Sequence, residues 1–424
     1  MTLTARPVLK SAPPSGTSPA RVALGAGAVV VGAVVSLVRQ GGPGALNTVW
    51  AEDGQIFLTE AVGKDLGALT TSYAGYFHAI PRLLAAPIAL LPADWAGVAL
   101  ATSAALVTAV FALVVFTLSA EFLPGRLARA IVALPVVAVP LSQNDVPNSI
   151  ANLHWLGLYV LFWLLLCRPV SRLGAACAVA GIVLIVGSDI LAGTYLPFVV
   201  FLIWFHRDRY TLIKGAAFVV ALALQVGGLL FGASQREGLE PNPIRWLTGY
   251  ILRAVPSALF GQRFVGTTVT KTTLVFAALA WLIVGAALVL ALRRYTSPKR
   301  LLAALAGFHS VALYAAPVAL SGVATSRYAV APAMLLLVAL VALLNPRDGK
   351  AAPMWALAGL VAVVVLVNLR IDNPRAAGPA WDTELREARV ACATTPGDAV
   401  VVVPIPPREP AWQAALPCDY VRAN

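Results

Sequence analysis

The run Ala96-Gly-Val-Ala-Leu-Ala-Thr-Ser-Ala-Ala-Leu-Val-Thr-Ala-Val-Phe-Ala-Leu-Val-Val-Phe-Thr-Leu-Ser-Ala120 carries no charge over its whole length. A hydrocarbon core about 30 Å thick is crossed by roughly 20 apolar residues of α-helix, so this block is long enough to span a bilayer. A second uncharged block occupies 274–292, and neither shows the one-face spacing of a surface helix. The rest of the chain follows suit. Of 424 residues, 59% are hydrophobic and 12% charged, with a mean hydropathy of +0.81, whereas a soluble domain carries about 25% charged residues. The sequence therefore specifies an all-α polytopic membrane protein.

Working outward from that block, the pattern predicts about eleven crossings. They fall at 22–38, 96–118, 130–142, 154–166, 174–188, 190–205, 215–232, 273–292, 301–320, 328–344 and 353–369. Those at 130–142 and 154–166 are short for a full crossing. The segment 78–92 is apolar but interrupted by Pro81, Pro87 and Pro92, which suits a re-entrant or interfacial helix better than a span. The transmembrane domain thus covers 22–369. Polar, Ser- and Pro-rich residues 1–21 read as a disordered cytoplasmic N-terminus. No clear small-residue cleavage site follows the first apolar run, which reads as a retained anchor.

Charge sets the expected orientation. With the N-terminus inside, the inner segments 1–21, 119–129, 167–173, 206–214, 293–300 and 345–350 hold 16 of the 31 Lys and Arg, while 16 of the 19 Asp and Glu fall outside. This satisfies the positive-inside rule and places the chain in a plasma membrane, N-terminus cytoplasmic and C-terminus extracytoplasmic. The net charge of +12 accordingly points to topology and anionic lipid rather than nucleic acid. Residues 370–424 form an external tail with an expected helix at 381–393 and strand at 398–403, a small α/β cap. It contains Cys392 and Cys418. In an exported segment such a pair reads as a disulfide, the plainer alternative being two unrelated thiols. Cys167 and Cys177 belong to the spans.

The expected external loops 39–95, 143–153, 233–271 and 321–328 gather the polar chemistry. Loop one contains Asn47-Thr-Val-Trp-Ala-Glu-Asp-Gly-Gln-Ile-Phe57, with Glu52 and Asp53 adjacent, and then His78 and Arg82 one helical turn apart. Loop two contains Asp145 and runs into His154 at the head of the next span; the third holds Arg236, Glu237, Glu240, Arg245, Arg253 and Arg263; the last ends in Arg327-Tyr328. Acidic residues beside a bilayer are costly and mark functional sites. A carboxylate can take a proton from a hydroxyl, and Arg can hold a phosphate bidentately. Each residue also has a plainer role: Glu52-Asp53 as a helix cap, Arg327 as a snorkelling anchor, His154-Trp155 as an interfacial belt, Asp145 as a turn. Asp189 is a weaker candidate, and His206 and His309 read as structural. No P-loop, Gly-x-Ser-x-Gly elbow or Cys/His metal-ligand spacing occurs, so no metal ligands are assigned, while a divalent metal stays open as a cofactor that the sequence does not specify.

With its acidic pair after the first span, Pro-containing interfacial segment, polar second loop and late Arg327-Tyr328 before Pro332, the chain resembles the GT-C superfamily of integral-membrane glycosyltransferases. The Trp-Ala-Glu-Asp-Gly run and Cys-bearing tail are also similar to actinobacterial membrane proteins. The resemblance implies a polyprenyl-phosphate-linked sugar as donor, a glycan, lipid or cell-wall polymer as acceptor, and inversion at the anomeric carbon. It implies Asp53 or Glu52 as general base, Asp53 being favoured. Arg327, with Arg245 or Arg82, would stabilise the leaving phosphate, and His78, Asp145, His154 and Tyr328 would position substrate. No nucleotide site is implied, the donor being lipid-linked. No Trp-Trp-Asp run or large soluble domain is present, which argues against peptide glycosylation. Two other classes remain open, a transporter or flippase of lipid-linked sugars and a non-catalytic envelope-assembly scaffold. Neither an internal repeat nor mid-span charge favours the transporter.

Overall fold

The structure, a computed structural model, describes residues 18–169, 171–231, 241–266, 268–370 and 374–423. The expected disordered N-terminus lies almost wholly outside these residues, as do Arg236, Glu237 and Glu240 of the third loop. Helices dominate. Among the described residues six are long and apolar enough to cross a membrane: Pro19–Val38, Ala93–Glu121, Arg209–Leu230, Lys271–Leu292, Arg300–Ser321 and Ser326–Leu343. Five shorter apolar helices accompany them: Ala79–Ile88, Leu153–Leu166, Arg172–Val186, Ile190–His206 and Ala352–Val367. The expected span at 130–142 is replaced by a helix Arg126–Val137 of 12 residues. It opens on Arg126 and Arg129 and loses its C-terminal turn beyond Pro135, whose ring cannot continue the backbone ladder upstream. The interfacial segment forms a ten-residue helix, Ala79–Ile88.

Burial separates a centre from a periphery. In Leu153–Leu166 and Val330–Leu343 nearly every residue is buried. A helix apolar on all sides that is surrounded by others belongs in the middle of the bundle. By contrast Val22, Leu24, Leu274, Val275 and Leu282 are exposed. Such side chains face lipid at no cost, because lipid tails are as apolar as they are. Close approach is set by small residues: a Cβ on Gly32 would lie 3.0 Å from the Ala109 Cβ, where Pro19–Val38 meets Ala96–Leu118.

The two ends of the bundle differ. At one, Lys214 Nζ donates to the carbonyls of Leu164, Leu165 and Cys167 at 3.1, 2.8 and 2.5 Å, satisfying the C-terminus of the central helix. Basic connections cluster there, with Arg347 Nη1 donating to Arg294 O at 2.9 Å. At the other end lie loops one and two and the tail. The tail packs a helix, Trp381–Cys392, on an antiparallel pair of strands, Val400–Ile405 and Trp412–Pro417. Cys392 and Cys418 form a disulfide. Trp381 Nε1 donates to Ala93 O at 2.8 Å and Arg389 bonds Asp94, so this cap is fastened to the bundle rather than hanging from it.

Candidate functional site

Loop one leaves the first helix at Arg39, a buried side chain that donates to Val137 O, Val139 O and Leu369 O. It then reaches Ala51, whose φ of +31° lies in the left-handed region that side chains avoid. The Ala51 amide is held there by Pro406 O of the tail at 2.9 Å. Strain of this kind persists only where the surroundings over-determine it. Glu52 and Asp53 follow at the head of a helical segment, where successive side chains point about 100° apart, so the two adjacent carboxylates take different directions.

Asp53 is turned inward, fully buried. Its Oδ1 accepts from Ser149 Oγ at 3.0 Å and from the Ala151 amide at 2.8 Å, and its Oδ2 from the Ile150 amide at 3.2 Å. Three donors from loop two thus close on one carboxylate. Burial pushes its pKa up to about 7, against the opposing pull of the Ala151 amide, the Arg375 charge and the Ser149 hydroxyl. Arg375, also fully buried, stacks over the Trp50 ring at 4.6 Å and donates to the carbonyls of Pro147 and Asp145. Burial lowers its own pKa to about 10, and Asp53 is the first of the charges that oppose this.

Glu52 points the other way, into a cavity of about 760 Å³. Its Oε1 lies 3.6 Å from Arg327 Nη1. Phe57, Tyr73, Tyr76, His78, Asn152, His154, Trp155, Arg327 and Tyr328 share the wall, and Pro317, Leu320 and Val323 close an apolar side. The aromatic groups touch: Tyr76 stacks on His78 at 4.3 Å, His78 meets His154 at 6.1 Å, and Trp155 lies 5.2 Å from Tyr328. Behind the wall, His154 Nδ1 is 2.6 Å from Asp189 Oδ2, and both residues are buried. Asp189 Oδ1 also accepts from the Leu191 amide at 2.8 Å. Asn152 Nδ2 donates to Ser149 Oγ at 3.1 Å, linking the cavity to the Asp53 cluster. The Tyr73 hydroxyl is pushed up to about 12 by burial and by Glu52.

Of the residues expected from sequence, Glu52, His78, His154, Arg327 and Tyr328 come together on this cavity. Four lie off it. Asp53 is behind the wall, as described. Arg82 is buried in an ion pair with Glu60 at 2.8 Å and lies over Phe57. Asp145 sits in a turn, its amide donating to Ser142 O; burial raises its pKa, with Arg327 the foremost opposing charge. Arg245 donates to Gly322 O, and Arg253 to Ala324 O, on the far side of the segment that ends the apolar wall. Sequence reading left out Arg375 and the aromatic role of Tyr73 and Tyr76, and gave Trp155 only an interfacial-belt role. Arg375 stands isolated in a tail with no pattern to mark it. The tyrosines lie in Tyr73-Ala-Gly-Tyr-Phe-His78, a density of rings that was the available signal. Among the described residues no group of three or more His, Cys, Asp or Glu could hold a metal ion.

No known family, curated protein or solved structure matches this chain.

Proposed function

We propose that the protein transfers a sugar from a polyprenyl-phosphate-linked donor to a hydroxyl of a glycan, lipid or wall polymer on the extracytoplasmic face of the plasma membrane, with inversion. The observation that carries this reading is the cavity itself: a carboxylate, Glu52, and a guanidinium, Arg327, share one wall lined with aromatic rings. In this reading Glu52, the loop-one carboxylate that lines the cavity, takes the proton from the acceptor hydroxyl. The acceptor oxygen bonds to the anomeric carbon from the face opposite the leaving group. The bond from that carbon to the phosphate oxygen breaks, its electrons leave with the polyprenyl phosphate, and Arg327 stabilises the charge that develops there. Asp53 holds loop two in place behind the wall. The arginine- and lysine-rich end of the bundle is cytoplasmic, the N-terminus is inside, and four of the shorter apolar helices together with Arg126–Val137, but not the interfacial Ala79–Ile88, complete an eleven-span GT-C-like arrangement.

The test is transfer of labelled sugar from polyprenyl-phosphate donors in proteoliposomes. Glu52→Gln should insert and fold as wild type and lose roughly 10²-fold or more in rate. Full activity in Glu52→Gln would overturn the base assignment. Absence of transfer by wild type across the common polyprenyl-phosphate hexoses and pentoses would overturn the reading.

A further inference from the structure

Within that transfer reading, we propose that His154 reads one hydroxyl of a pyranose bound in the cavity, its Nε2 accepting the hydroxyl hydrogen while Asp189 fixes the ring. The geometry runs from the buried end outward. Asp189 is fully buried, one carboxylate oxygen engaged by the Leu191 amide and the other 2.6 Å from His154 Nδ1. A carboxylate accepts and does not donate, so the shared proton belongs to Nδ1. In the neutral ring that leaves Nε2 as a lone pair on the ring that lines the cavity. A fixed lone pair selects for a donor. Sugar hydroxyls are donors, whereas a phosphate oxygen presents only lone pairs and is directed instead to Arg327. Next to the imidazole, at 4.4 Å between ring centres, stands Trp155, itself 5.2 Å from Tyr328. These rings give the C–H face of a pyranose an apolar surface to lie on while its edge meets His154. Asp189 touches no ligand in this scheme; it is a positioning residue.

The same arrangement makes a tautomer test available. In Asp189→Asn an amide N–H facing Nδ1 would move the ring proton to Nε2, turning the acceptor into a donor, while the side-chain oxygen can still hold the Leu191 amide. The experiment uses the full chain in nanodiscs and saturation-transfer NMR with methyl pyranosides of gluco, manno and galacto configuration, followed by mono-deoxy derivatives of the one that binds. Removal of a single hydroxyl should weaken binding to wild type roughly tenfold; replacing that hydroxyl by fluorine, which cannot donate, should cost wild type the same, and this fluoro penalty should shrink in Asp189→Asn, whose Nε2–H needs only an acceptor. In the transfer assay, Asp189→Asn and His154→Gln should raise KM by about tenfold and leave kcat within about a factor of three. Equal binding of all mono-deoxy sugars, absence of any pyranoside binding, or a fall in kcat at unchanged KM would each overturn the assignment, the last by showing a proton-transfer role. If wild type transfers nothing yet one hydroxyl still governs binding, the transfer reading fails and the hydroxyl-reading role stands.

Discussion

Asp53 should dominate the pH dependence of folding. Its carboxyl holds a proton up to about pH 7 in the folded protein, against an ordinary value of 3.8. Between those values the folded state binds more protons than the unfolded one, so stability falls as pH rises from about 4 to about 7 and levels off above. Denaturant midpoints in nanodiscs across that range should show the slope in wild type and lose most of it in Asp53→Asn; an unchanged slope in the variant would show that another group titrates. The sequence marked Glu52 and Asp53 as a pair and favoured Asp53; of the two, Glu52 is the one that lines the cavity. Adjacent residues on a helix or a strand both have defined faces. Here both open a helical segment and so point about 100° apart; that Asp53 is the one turned inward is fixed by its contacts with Ser149, Ile150 and Ala151 of loop two, and no local pattern encodes those.

Among the elements, the tail cap is the one whose stability can be read separately. The disulfide between Cys392 and Cys418 closes a segment with a sequence separation of 26. Loop-closure entropy gives such a cross-link a contribution of about 3 kcal/mol. Reduction, or Cys392→Ser with Cys418→Ser, should therefore expose the 381–417 segment to protease at denaturant concentrations where the oxidised cap resists, with the helices of the bundle intact. Equal protease resistance of the two forms would mean that the contacts to Ala93 and Asp94 hold the cap without it. The helix Trp381–Cys392 and the strand at 400–405 were largely legible from amphipathic spacing and a run of valines. The partner strand Trp412–Pro417 was not, because Gln-Ala-Ala-Leu has little β-propensity of its own and becomes a strand by pairing. Long apolar helices were predicted to within a few residues, since one physical quantity, the thickness of the hydrocarbon core, decides them. The shorter helices Leu153–Leu166, Arg172–Val186, Ile190–His206 and Ala352–Val367 were predicted equally closely; Arg126–Val137 was not, because it depends on neighbours and prolines that composition does not weigh.

For the molecule as a whole, the polarity of the two ends yields a topology that labelling can check. In a background with Cys167 and Cys177 replaced by Ser, a membrane-impermeant maleimide should reach Ser297→Cys from the cytoplasmic side and Ala411→Cys from the outer side. Both sites labelled from the same side would break the proposed arrangement. At this scale the membrane class and the gathering of Glu52, His78, His154, Arg327 and Tyr328 near one end were readable in advance. The Asp53–Arg375 support behind them was not, because it joins segments at opposite ends of the chain. The contact between Ala51 and Pro406 also has a consequence for how the protein is made. Loop one emerges early in synthesis, yet the carbonyl that holds the Ala51 amide, and Arg375 behind it, arrive only after the apolar helices from Pro19 to Val367 have been made. A chain terminated after Arg370 should insert all its helices, as read by the same maleimide at Ser297→Cys, and still be inert, because the cavity is finished by its latest-made part.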